Sequence, residues 1–148
     1  MIDLKKFAQA ALLALLTASF VIPTGAEAAS SQQTSNTVAP ASTKQVADYS
    51  NLGSNDPTKK SSTFNVTTPG YVTVNVTQNH GTETAYMYYA IVTDLPDGTT
   101  TSYGSSNIKG NGSFSFTTSK PLPAGEYFIR YKSKQRGRTS GTISVTTP

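Results

Sequence analysis

The chain has 148 residues, no cysteine, no tryptophan and a formal net charge of +4 at pH 7. That length suits one domain rather than two. The missing cysteine excludes disulfides, thiol catalysis and Cys-based zinc sites, so the core must hold without covalent staples.

Lys5 and Lys6 open a positive N-terminal end; residues 8–22 are apolar apart from Gln9, Thr17 and Ser19, and Pro23 and Gly25 follow. Ala26-Glu27-Ala28 supplies the small residues a signal peptidase needs, so residues 1–28 read as a removable secretory signal peptide. The apolar run falls short of the ~20 residues of a membrane-spanning helix, and no Cys stands at the cleavage point to carry a lipid anchor. The expectation is a secreted, extracellular protein. Export without disulfides fits a bacterial one, with the cell wall as one destination. The signal carries two Lys, one Asp and one Glu, so the whole excess charge stays on the rest of the chain. Residues 126–148, with five basic side chains and one acid, account for all of it.

Residues 29–60 are rich in Ser, Thr, Gln, Asn and Pro and poor in large apolar side chains, the composition of a flexible leader. Val46, Tyr49 and Leu52 are the residues there that could dock as an extended segment or short first strand. From Ser61 the pattern changes to period two, and residues 61–148 are expected to form the folded domain. Phe64 and Val66, then Val72, Val74 and Val76, alternate with polar residues around Pro69-Gly70, which predicts a hairpin. Residues 84–93 are apolar on both faces, as in a central strand. Pro96-Asp97-Gly98 marks a turn, residues 99–103 a short strand and residues 104–112 a loop. Phe114 and Phe116 mark the next strand; residues 126–133 another; Arg136-Gly137-Arg138 a turn; and Ile143 and Val145 a last strand. Six or seven short strands with no helical periodicity predict an all-β domain, a single small antiparallel β-sandwich of jelly-roll or immunoglobulin-like topology. The predicted inward set is Phe64, Val66, Val72, Val74, Val76, Met87, Tyr89, Ile91, Phe114, Phe116, Tyr127, Ile129, Tyr131, Ile143 and Val145.

Phe64-Asn65-Val66, Pro69-Gly70 and Val72-Thr73-Val74 resemble the opening hairpin of the bacterial pre-peptidase C-terminal domain. The stretch from Leu122-Pro123-Ala124-Gly125 through Glu126-Tyr127-Phe128-Ile129-Arg130 resembles its closing strand, and the resemblance covers about residues 61–147. It implies a non-catalytic β-sandwich module of the kind carried by secreted enzymes, some of which bind polymers or calcium. Glu83-Thr84-Ala85-Tyr86-Met87-Tyr88 lacks the aspartates of the family's calcium-associated strand, so calcium is not implied here.

No catalytic constellation emerges. His80, the sole histidine, lies in Asn79-His80-Gly81 and reads as a solvated turn residue. Asp56, Asp94 and Asp97 read as turn formers rather than metal ligands or a paired-carboxylate centre. No enzyme activity, metal or cofactor is expected. The strongest signal is a basic strand. Arg130, Lys132 and Lys134 fall at every second residue and so share one sheet face, with Arg136 and Arg138 in the turn beyond, so residues 130–138 are expected to form a basic C-terminal hairpin with the last strand. Neighbours about 7 Å apart repel by only about 0.6 kcal/mol in water, which folding tolerates. The row makes a local positive potential suited to an anionic extracellular polymer or cell-wall component, and it is equally what a soluble edge strand carries. Nucleic acid is a poor match for an exported protein. Two alternatives stand beside it. Tyr86, Tyr88 and Tyr103 could stack on sugar rings in a carbohydrate-binding module. Exposed strand edges would serve a structural, matrix or coat protein.

Overall fold

The computed structural model describes residues 40–148. The predicted signal peptide and residues 29–39 of the predicted leader lie outside the described residues. Among the described residues nine strands follow in chain order: β1 (Ser42–Leu52), β2 (Lys59–Lys60), β3 (Phe64–Val66), β4 (Thr73–His80), β5 (Tyr86–Asp94), β6 (Thr100–Lys109), β7 (Gly112–Thr117), β8 (Gly125–Ser133) and β9 (Thr139–Thr147). They form two antiparallel sheets, one ordered β1-β9-β4-β7 and the other β2-β8-β5-β6, with β3 also paired to β8.

The order has a simple origin. β5 and β6 form a hairpin, and from it the chain runs outward in nested antiparallel pairs: β4 with β7, β2 and β3 with β8, and β1 with β9. The ribbon is rolled so that β4 also meets β9 and β5 also meets β8. This is the connectivity of a jelly roll rather than an immunoglobulin fold. β2 and β3 are two pieces of one edge strand. The ladder is patched between them by Ser61, whose N–H donates to the Ile129 carbonyl (2.9 Å) and whose hydroxyl accepts the Ile129 N–H (2.9 Å).

Rolling corrects two local expectations. β3 and β4 do not form a hairpin around Pro69-Gly70: β3 pairs with β8, and β4 pairs with β7 and β9 in the other sheet. Gly70 instead bridges to Leu122, with reciprocal N–H···O bonds of 3.0 and 2.7 Å. Likewise β8 and β9 are not a hairpin, because residues 134–138 carry the chain from one sheet to the other. Period-two patterning does not distinguish these cases, since both strands present apolar faces to the same core whether they are neighbours or opposite.

Within the expected leader, residues 42–52 are a strand, as the docking of Val46, Tyr49 and Leu52 allowed, though a longer one than expected. β1 is an eleven-residue strand that buries Val46, Tyr49 and Leu52. Their spacing of three follows from register shifts between Gln45 and Ala47 and between Tyr49 and Leu52, bulges that re-phase the strand toward the core. The loop expected at 104–112 is also largely strand, because β6 runs to Lys109.

The main core lies between the sheets. Thirteen of the fifteen predicted inward residues are buried there, while Phe114 and Phe116 on β7 are half-buried against it. Val46, Tyr49, Leu52, Ile108 and Leu122 complete it. A second, smaller cluster of Ala90, Val92 and Phe128 lies on the outer side of β5 and β8, with Tyr88 packed against it. Among the described residues no helix is long and apolar enough to cross a membrane.

Candidate functional site

β8 alternates as a two-faced strand. Tyr127, Ile129 and Tyr131 are buried in the main core, whereas Arg130 and Lys132 are half-exposed on the outer side and Lys134, just beyond the strand, is exposed. Register then sets what stands beside them. Arg130 pairs with Lys60 on one side and Ala90 on the other. Lys132 pairs with Tyr88, which in turn pairs with Asn107. Lys134 donates its backbone N–H to the Tyr86 carbonyl at 2.7 Å, and Tyr86 pairs with Lys109. One outer sheet face therefore carries Lys132, Lys134 and Lys109 around two half-exposed tyrosines. The Lys134 Nζ stands 5.5 Å from the Tyr86 ring centroid and 5.6 Å from that of Tyr88, within the range of cation–π attraction.

The charge on this face is graded. Among the described residues only two ion pairs form within 4.0 Å, Lys60–Asp94 at 2.8 Å and Arg138–Asp56 at 3.9 Å. Lys60 also lies 3.6 Å over the Phe128 ring and lids the outer apolar cluster. Arg130 donates to the Thr100 hydroxyl at 3.2 Å. Asp94 thus neutralises Lys60, whereas Arg130, Lys132, Lys134 and Lys109 have no carboxylate partner among the described residues.

The five predicted basic residues do not act as one set. Arg136 and Arg138 lie in the sheet-crossing loop and line a cleft with residues 53–56. Arg138 donates to the Asn51 carbonyl at 2.7 Å as well as facing Asp56, and Asp56 accepts the Gly53 N–H at 2.7 Å. These contacts pin one end of the sandwich. The three tyrosines also separate. Tyr103 packs against the main core and meets Tyr127 edge-on, with centroids 5.3 Å apart. It sits at the register shift opposite Ile91 and Val92, and this bulge turns it away from the face of Tyr86 and Tyr88. Lys109 and Lys60 join the face although neither shares a sequence pattern with β8; only cross-strand register brings them there.

His80 is a correction of another kind. It is buried, not a solvated turn residue. Its Nδ1 accepts the Glu83 backbone N–H at 3.0 Å, which leaves the proton on Nε2 to donate to the Arg136 carbonyl at 3.0 Å. Asn111 completes this end: its Oδ1 accepts the N–H groups of His80 and Ala85, and its amide donates to the Glu83 carbonyl. Both ring nitrogens are committed to backbone, so the histidine is structural. The aspartates have local partners too. Asp97 accepts from the Thr99 N–H (2.9 Å) and hydroxyl (2.6 Å), bonds that hold its carboxyl below the usual range.

Among solved structures the chain is similar to a chain of infectious bursal disease virus, Gx strain, at 13% identity and a TM-score of 0.41, covering 73% of this chain and 33% of that one. For the Gt strain of that virus the values are 12%, 0.38, 72% and 32%, so the chain spans about a third of the length of the viral chains. The C-terminal CBM6 of LamC, a marine laminarinase from Zobellia galactanivorans, is similar at 14% identity and a TM-score of 0.40, covering 72% of this chain and 91% of that one. No family model and no curated protein matches the chain.

Proposed function

We propose that this is a secreted, non-catalytic binding module that holds an anionic extracellular polymer, such as a phosphate- or carboxylate-bearing cell-wall glycan, on the outer face of its β2-β8-β5-β6 sheet. One observation carries the reading: Lys132 and Lys134 stand beside Tyr88 and Tyr86 on one exposed face, with no carboxylate paired to either lysine among the described residues. Lysines supply point charges for phosphate or carboxylate, and tyrosines supply flat, amphipathic surface for sugar rings. Arg130 contributes to the same field, while Arg138 serves the fold through Asn51 and Asp56.

The test is retention of the chain on purified cell walls and on an immobilised acidic polysaccharide across a salt series. Retention at low salt, lost as salt rises and lost in Lys132→Glu/Lys134→Glu, supports the reading; unchanged retention in that variant overturns it. The neutral-sugar reading rests on the adjacency of Tyr86 and Tyr88 and predicts the reverse pattern, salt-insensitive binding lost in Tyr88→Ala.

A further inference from the structure

A sandwich whose sheets do not close leaves strand edges with unpaired backbone groups, and proteins guard such edges with charge, proline or bulges. Among the described residues, three of the four edges are guarded. β1 carries Lys44, Asp48 and two register shifts; the β2 edge presents Lys59 and Lys60; β6 carries Lys109 and a register shift. β7 is different. It ends the order β1-β9-β4-β7, runs in unbroken register with β4 from Thr73↔Thr117 to Gln78↔Gly112, and contains no charge and no proline.

Its sequence, Gly112-Ser113-Phe114-Ser115-Phe116-Thr117, is also self-complementary. Antiparallel pairing of two copies centred on Ser115 sets Phe114 opposite Phe116 and Ser113 opposite Thr117, twice each. The aromatic pairs fall on the core side, where both phenylalanines are only half-buried and leave apolar surface uncovered. The hydroxyl pairs continue the outer face of that sheet, where Thr77–Thr142 and Thr73–Thr117 already meet hydroxyl to hydroxyl at 2.8 and 2.9 Å. Charge selects the same strand. Two copies of a chain with net charge +4 repel each other, so contact needs a strip free of cations, and β7 is the edge without one.

We propose that β7 pairs antiparallel with β7 of a second copy about a twofold axis at Ser115, joining two four-stranded sheets edge to edge. Each copy offers one such edge, so the contact closes at the dimer. Five paired residues from each copy make a small interface, so the association is concentration-dependent. It leaves the Lys132–Tyr88 face free, and the two readings stand or fall separately.

Sedimentation of the full chain over a concentration series tests it, alongside Ser115→Lys, Ser115→Asp and an equimolar mixture of the two. The wild type is expected to move toward twice the monomer mass as concentration rises. Each variant is expected to stay monomeric, and the mixture to associate again, because opposite charges then face each other across the axis. Ser115 is exposed, so the variants are expected to unfold with the wild-type transition; Ser113→Lys/Thr117→Lys, which sets two like-charged pairs opposite each other, repeats the test independently. A wild type monomeric throughout, or lysine variants that associate as the wild type does, overturns the proposal.

Discussion

The hydroxyls of Tyr49 on β1 and Tyr89 on β5 meet at 2.8 Å inside the core, tying one sheet to the other. The hydrogen-bonded network continues from Tyr89. Tyr89 donates to Gln78 Oε1 at 2.9 Å, and the Gln78 amide donates to the carbonyls of Ile108 (3.1 Å) and Gly110 (2.7 Å). Every polar atom of Gln78, which is 1% exposed, is thereby used, as a buried amide requires.

Burial pushes the Tyr49 hydroxyl up to about 12, with the Tyr89 hydrogen bond opposing and the nearby Tyr131 adding to the rise; Tyr89 is raised as well, again chiefly by burial. The unfolded chain releases these protons near pH 10 while the folded chain keeps them. Stability is therefore complete below pH 10 and falls as pH rises toward 12. The Tyr49 share is on the order of 2 kcal/mol. Denaturant midpoints measured between pH 9 and 12 check this, and Tyr49→Phe is expected to flatten the decline.

Tyr89→Phe removes the donor to Gln78 Oε1 and strands a buried carbonyl oxygen. The expected loss is about 1–3 kcal/mol, read from urea unfolding at neutral pH. Adding Gln78→Leu is expected to cost less than the sum of the two single changes, because the two residues share one network.

Gly137, at φ 90°, brings its backbone against the His80 ring, and a Cβ there would strike the imidazole. Gly137→Ala is expected to cost about 1–3 kcal/mol from backbone strain alone, and more from the clash. In a His80→Ala background the clash is gone and only the strain remains, so the cost of Gly137→Ala is expected to be smaller. A double-mutant cycle by thermal unfolding measures the difference.

Arg138→Ala removes the donor to the Asn51 carbonyl and the partner of Asp56. The expected loss is under about 1 kcal/mol of stability, in keeping with an exposed pair, with retention on acidic polymer unchanged. Lys134→Ala is expected to do the opposite, weakening retention while leaving the unfolding transition in place. Parallel melting and retention measurements on the two variants check this division of the basic residues.

Several features were legible along the chain. Alternation in 64–66, 73–80 and 125–133 identifies strands and their buried faces, because side chains on a strand alternate whatever its neighbours are. The same rule placed Arg130 and Lys132 on one side of β8, with Lys134 just beyond its end. β1 was harder to read, because two bulges break the period that makes a strand visible, and His80 because its partners, the Arg136 carbonyl and the Glu83 N–H, come from sequence-distant and turn backbone that no side-chain pattern encodes.

By itself, the sequence determined an all-β chain, most of its core, and a row of cations on one strand face, since these follow from a two-residue repeat that is local. Only the tertiary structure decided which strands are neighbours. Rolling the β5–β6 ribbon turned two expected hairpins into sheet crossings, sent Arg136, Arg138 and Tyr103 away from the basic face, and brought Tyr88, Tyr86 and Lys109 to it. Register between strands far apart in the chain depends on how the apolar faces of both sheets fit together, and no local repeat carries that information.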